Sequence, residues 1–277
     1  MPAAATAPVG IFDSGLGGLS VLRHVRAQLP QETLIYFADS AFAPYGGKPE
    51  ALVIARTLAV ADFLVAQGIK ALVVACNTAT AAAITAVRER YPDLPVVGVE
   101  PGLKPAALCS VSRVVGVLAT ERTLASARFQ ALETQLSAAT GVRFLPQPCV
   151  GLADQVEKGE LRSPATAALV RRYVEPLVRQ GADTLVLGCT HYPFLAPLIE
   201  EAARRAGARA VTIIDTGEAV ARQLQRVLAE RKLLCPAHAP AALVSGWTTG
   251  SASALAAACM KLLKIKVPVA SIAESPD

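Results

Sequence analysis

Short apolar runs rich in Val, Ile, Leu and Ala recur along the chain, each closed by a glycine or a small polar residue and followed by a longer stretch whose apolar positions have helical spacing. Runs of four or five apolar residues between turn signals read as strands buried on both faces, and the longer periodic stretches read as helices. The pattern predicts strands at 9–12, 33–37, 71–75, 96–99, 114–118, 142–145, 184–187, 211–214 and 242–245. The clearest helices are expected at 49–66, 80–90, 123–138, 164–179, 195–206 and 217–231. Strand and helix in alternation imply right-handed crossovers and mainly parallel sheets, which is an α/β fold.

Two segments repeat one another. Val65-Ala-Gln67-Gly68 runs through an apolar strand to Cys76-Asn77-Thr78, and Val178-Arg-Gln180-Gly181 runs the same way to Cys189-Thr190-His191. The spacing from glutamine to cysteine is 9 in both, 76 − 67 and 189 − 180. Each copy delivers a thiol to the C-terminal end of a buried parallel strand, where ligand crevices of open α/β sheets form. Two thiols at matched positions invite chemistry with one acid/base group on each side of a substrate. Because each thiol belongs with the strands before it, the repeat predicts two pseudo-symmetric, doubly wound domains with the active site in the cleft between them. The expected division is 1–101 plus 211–277, carrying Cys76, and 102–210, carrying Cys189.

At 277 residues the chain can bury a sizeable core, and with 53% apolar but 5% aromatic residues that core is built mainly from Ala, Val and Leu. The formal charge of +5 is spread thinly, with no block of like charges, so nucleic acid is not an expected partner. Two uncharged runs, 71–87 and 239–260, are broken by polar turns and read as strand, turn and helix, so no membrane segment is expected. The first residues carry no secretory pattern, and the six cysteines do not belong to a short disulfide scaffold. A reducing cytoplasm is the expected setting.

Asp13-Ser14-Gly15-Leu-Gly17-Gly18-Leu-Ser20 follows the first strand and opens a helix, and its free N–H groups suit a carboxylate or phosphate. It is not a dinucleotide fingerprint, since Ser20 stands at the third glycine position; Asp39, the acidic candidate after the second strand, does not repair that spacing. The bland alternative is a turn with Asp13 or Ser14 as helix cap. Asp13-Ser-Gly and Asp215-Thr-Gly share the pattern of aspartic proteases, but those require an all-β frame and here helices follow both; Asp215 reads as a helix cap. Cys76, Asn77 and Thr78 sit where a helix begins, which favours thiolate and offers donors to a carboxylate. Cys189-Thr190-His191 adds an imidazole able to move a proton to or from the thiol. Cys109, Cys149, Cys235 and Cys259 lack the strand-end context, and His24, His191 and His238 are too scattered for a zinc site. Phe42-Ala-Pro44-Tyr45-Gly46-Gly47-Lys48 is either a loop that covers a ligand or simply the entry to the next helix.

Together, Asp13-Ser14-Gly-Leu-Gly-Gly-Leu-Ser, Pro44-Tyr45-Gly46, Ala75-Cys76-Asn77-Thr78-Ala79 and Gly188-Cys189-Thr190-His191-Tyr192-Pro193 resemble the bacterial glutamate racemases of the aspartate/glutamate racemase superfamily. The resemblance implies a cofactor-independent isomerase interconverting L- and D-glutamate and supplying D-glutamate for peptidoglycan, cell-wall biogenesis and cell shape. It implies that Cys76 takes the α-proton of D-glutamate and Cys189 that of L-glutamate, with Asp13 and His191 as their acid/base assistants. Asp13, Ser14, Pro44, Tyr45, Gly46, Asn77, Thr78, Thr120, Thr123, Thr190 and His191 resemble substrate contacts. Glu157, in Val-Glu-Lys-Gly, matches a carboxylate near the histidine, although Cys149-Val150 stands where many relatives have Cys-Pro.

Small polar side chains and backbone N–H groups around both thiols could hold charge on the α-carboxylate during proton transfer. A relative acting on aspartate, a hydantoin or an arylmalonate, and a non-catalytic binding protein, are the competing readings; the second would need neither thiol. Pyridoxal phosphate is disfavoured because no lysine lies in the strand-end motifs. The pattern leaves open whether the chain forms a homodimer and whether cell-wall precursors control it.

Overall fold

The computed structural model describes residues 4–208, 210–236 and 242–272. Its strands are β1 (Val9–Asp13), β2 (Leu34–Ala38), β3 (Ala71–Val74), β4 (Val96–Gly98), β5 (Val114–Ala119), β6 (Arg143–Pro148), β7 (Thr184–Gly188), β8 (Thr212–Ile214), β9 (Val244–Thr248) and β10 (Val269–Ser271). The α-helices are α1 (Leu19–Gln28), α2 (Glu50–Ala66), α3 (Asn77–Arg90), α4 (Leu103–Cys109), α5 (Glu121–Ala125), α6 (Ala127–Thr140), α7 (Leu152–Glu157), α8 (Pro164–Arg179), α9 (Ala196–Arg205), α10 (Gly217–Glu230) and α11 (Ala252–Leu263). Two compact units result: residues up to Val99 with those from Gly217 onward, and Glu100–Thr216.

The first unit carries a sheet ordered β10-β9-β2-β1-β3-β4, the second a sheet ordered β6-β5-β7-β8, and every ladder is parallel. Counted within each unit, the central order is the same: second strand, first, third, fourth. In both, the connections leave the first strand in opposite directions, which creates a topological switch point between the first strand and the third. Reversal of the crossover direction also puts helices on both faces. In the first unit α1 packs with α10 and α11, while α2 packs with α3. In the second, Val115 and Val117 of β5 join Leu103 and Phe129 of α4 and α6, and the alternate residue Leu118 joins the Val170, Leu177 and Ile199 cluster of α8 and α9. That alternation is the two-residue period of a strand buried on both faces.

The doubled Gln-Gly signal has a structural origin. Gln67 and Gln180 cap α2 and α8, and Gly68 (φ 75°) and Gly181 (φ 93°) take the left-handed conformation that ends each helix. A side chain there would cost roughly 1 kcal/mol, so glycine marks the turn into each thiol-bearing strand.

Five differences from the sequence expectations have physical causes. The helix expected at 123–138 is two, because Ser126 ends α5 and caps α6, its hydroxyl donating to the Thr123 carbonyl and accepting from the Phe129 N–H. Helix α3 starts at Asn77 rather than at 80, because Cys76 itself is the cap. The sixth strand extends to Pro148, since β6 is an edge strand that tolerates Pro146 and Pro148. Residues 212–214 pair with β7, so the segment from 211 stays with the second unit and the chain returns to the first at Gly217. Short α4, α7 and β10 fell below the length at which periodicity speaks. The run expected as strand, turn and helix after 239 contains β9 and α11; its first residues, and His238, lie outside the described residues. No described helix is long and apolar enough to cross a membrane.

Candidate active site

At the switch point of the first sheet, Asp13 ends β1 and Cys76 follows β3; the Ala75 N–H donates to the Phe12 carbonyl at 2.7 Å, locking the two strand ends together. The Asp13 carboxylate is buried and accepts the Gly15 N–H at 2.9 Å, folding the glycine-rich loop back on itself. Tyr36 donates to the Gly15 carbonyl at 2.7 Å. Gly18 is required by close approach, because a Cβ there would lie 2.5 Å from Asp13 Cβ. The loop that sequence alone left open between ligand cradle and helix cap is therefore shaped around a buried Asp13.

Cys76 Sγ lies 3.7 Å from Ser14 Oγ and accepts the Ala79 N–H at 3.4 Å. The sulfur thus occupies the N-terminus of a 14-residue helix, where exposed N–H groups favour negative charge. Asn77 and Thr78 form the first turn of that helix and are buried. Both amide atoms of Asn77 are buried without a hydrogen-bond partner, a cost of roughly 1–3 kcal/mol per group that a polar ligand would relieve. Tyr45, in a 3-10 turn packed against α3, is buried, and burial followed by the Asp39 carboxylate pushes its phenol well above the usual tyrosine range.

The second sheet brings three residues to its C-terminal edge in register. Ala119 pairs with Pro148 and with Gly188, so Thr120, Cys149 and Cys189 each begin the loop after a neighbouring strand. Thr120 caps α5 by accepting the Thr123 N–H at 3.2 Å, and its hydroxyl donates to Thr123 Oγ1 at 2.9 Å. Cys189 Sγ is 3.4 Å from His191 Nδ1, and His191 Nε2 is 2.5 Å from Glu157 Oε1. Thiol, imidazole and carboxylate form a chain. Burial opposes the imidazolium, but Cys189 and then Glu157 outweigh it and hold His191 well above the ordinary histidine value. Thr190 is buried beside them.

Cys149 departs from the expectation that it lacks a strand-end position: it directly follows β6, and burial pushes its thiol up, so it is held as the neutral thiol. It was missed because two prolines masked the end of β6. Glu157 rides on the six-residue helix α7, which no periodicity announced. Sequence reading also passed over Tyr36, a residue inside an apolar strand whose hydroxyl holds the glycine-rich loop. Among the described residues no group of three or more His, Cys, Asp or Glu could hold a metal.

Two parallel α/β sheets of the same central strand order, each with a buried cysteine just past the third strand at its switch point, define a two-domain α/β protein with doubled cysteine loops. The Asp/Glu/Hydantoin racemase family model matches residues 18–224, and the chain belongs to that family. A glutamate racemase of Ectopseudomonas mendocina is 52% identical over 93% of this chain and 95% of its own length. Two solved structures share the fold: the Francisella tularensis glutamate racemase in complex with D-glutamate (TM-score 0.82, 27% identity, covering 97% of this chain and 98% of that one), and the Escherichia coli glutamate racemase in complex with L-glutamate and an activator, UDP-MurNAc-Ala (TM-score 0.81, 29% identity, covering 96% and 97%).

Proposed function

We propose that the protein is a glutamate racemase that interconverts L- and D-glutamate with two cysteines and no cofactor. The observation that carries this reading is the pair of half-sites: Cys76 with Asp13 at one switch point, Cys189 with His191 and Glu157 at the other, on sheets of the same strand order. In the L-to-D direction the Cys189 thiolate takes the α-proton, forming S–H as the Cα–H bond breaks. The electron pair moves into the α-carboxylate as Cα becomes planar, and donors such as Ser14, Asn77, Thr78 and Thr190 stabilise the charge there. Cys76 S–H then delivers a proton to the opposite face and is left as thiolate, with Asp13 serving it as His191 serves Cys189. The reverse reaction exchanges the two roles. Relatives solved with either enantiomer of glutamate support the substrate.

Supply of D-glutamate for peptidoglycan follows as the role of such an enzyme, and six free thiols suit work in a reducing cytoplasm. The test is direct: purified protein is incubated separately with L-glutamate and L-aspartate, and the product enantiomers are separated on a chiral column. D-glutamate is expected, with turnover of L-aspartate at least tenfold lower. Preference for aspartate would remove the substrate assignment, and no turnover of either would remove the catalytic one.

A further inference from the structure

Asp39 follows directly on β2 and is fully buried, yet the proton transfer described above makes no use of it. Its carboxylate gathers donors from three parts of the chain. Arg56 on α2 forks onto it, with Nε 3.0 Å from Oδ2 and Nη2 2.8 Å from Oδ1. Thr249 Oγ1, just past β9, donates to Oδ1 at 2.9 Å, and the phenol of Tyr45 donates to Oδ2. The main chain continues the web: the Asp39 N–H donates to the Asp13 carbonyl at 3.1 Å, and the Ala41 N–H to Thr249 Oγ1 at 3.1 Å. The Arg56 guanidinium also stacks on Phe42, 3.9 Å from the ring centroid. The segment from Asp39 to Tyr45 is thus fastened at its start, at Phe42 and at Tyr45, and one ion pair joins all three.

We propose that Asp39 and Arg56 are positioning residues: their forked ion pair fixes the Pro44–Tyr45–Gly46 turn in its ligand-ready place and so sets the affinity for substrate. This rests on the reading that the turn touches glutamate. The Tyr45 hydroxyl proton is committed to Asp39, so the phenol acts as a strut and the turn meets the ligand through its backbone and ring. Lysine cannot replace Arg56, because a point charge on a flexible stem does not fill both carboxylate oxygens at once. Arg56 is also accessible, its side chain 19% exposed while Asp39 is 0%.

Steady-state kinetics of Arg56→Lys, in both directions, tests the idea. One of two charge-assisted hydrogen bonds is lost, and KM is expected to rise about tenfold for L- and D-glutamate alike with kcat within a factor of about three. In Arg56→Ala, guanidinium ion at about 10–50 mM is expected to lower the raised KM again, since the vacated site is open to solvent; a merely structural loss would show no such saturable rescue. Should Arg56→Ala fail to fold, Asp39→Asn, which keeps the shape and removes the charge, is expected to repeat the Arg56→Lys profile. An unchanged KM in Arg56→Lys, or a fall in kcat alone, would overturn the proposal while wild-type turnover left the glutamate reading intact. A wild type inactive on glutamate would bring down that reading and, with it, this one.

Discussion

The two thiol-bearing loops leave equivalent strand ends, and their backbones part at the fourth residue after the cysteine. After Cys76 the fourth residue is Thr80, whose N–H donates to the Cys76 carbonyl at 2.8 Å and closes the first turn of α3. After Cys189 it is Pro193, which has no N–H to give. The chain there closes a tighter turn, with the Tyr192 N–H on the Cys189 carbonyl at 3.1 Å, and α9 waits until Ala196. One half therefore offers its sulfur a helix terminus; the other offers an imidazole. The carboxylates differ too: Asp13 ends the neighbouring strand β1, whereas Glu157 contacts His191, which in turn contacts Cys189. Two register positions separate the loops: proline at the fourth sets the course of the backbone, and His191 where the first loop has Thr78 supplies the imidazole.

The comparison is broken most severely by deleting either thiol. Cys76→Ala and Cys189→Ala are each expected to lower racemisation at least about 10²–10⁴-fold, the range for loss of a positioned proton carrier. NMR of the α-proton in D₂O then distinguishes the halves: Cys189→Ala should still exchange D-glutamate, and Cys76→Ala should still exchange L-glutamate. Full racemisation by either variant refutes two-base chemistry, and a reversed exchange pattern reverses the assignment of faces.

Glu157→Gln sharpens the comparison on one side only. Glu157 helps hold His191 above its ordinary value, so removing that charge lets the histidine pKa fall. The alkaline limb of kcat/KM with L-glutamate should move to lower pH, with about a tenfold loss of rate. The stability given by the protonated pair is full below the unfolded histidine pKa of about 6.5 and is lost as pH rises through the raised native value. Glu157→Gln should therefore lower the melting midpoint at pH 6 more than above the native pKa. A wild-type pH profile in the variant would show that the carboxylate does not act through His191.

The smallest effect is expected at Asn77, whose unpartnered amide already costs the ligand-free protein. Asn77→Ala should change unfolding free energy by no more than about 1 kcal/mol, because no protein hydrogen bond is lost. The stabilisation conferred by added glutamate should shrink with the loss of affinity, as melts with and without ligand would report. A large drop in ligand-free stability would mean that Asn77 supports the fold and not the ligand.

Much of this was legible beforehand because it is local. A Gln-Gly pair ends a helix, four apolar residues make a buried strand, and a cysteine with small polar neighbours must fall at the strand's end; each step needs only nearest neighbours in sequence. Cys76 and Cys189 were placed past the ends of their strands in this way. Cys149 was missed because proline in an edge strand defeats a local rule, and α7 because six residues are too few for a helical period. Arg56 carried no sign, since a lone arginine on a largely apolar helix reads as solvated until its partner is known.

The sequence by itself determined the α/β alternation, the two thiol-bearing strands and, through Pro193, which loop could begin a helix. These follow from backbone geometry within a turn or two. Only the tertiary structure decided that β8 joins the second sheet, that Glu157 reaches His191 across 34 positions of sequence, and that Asp39 gathers Arg56, Tyr45 and Thr249. Hydrogen bonds to buried charges are short-ranged and directional, so their partners are chosen by the packing that brings distant segments together.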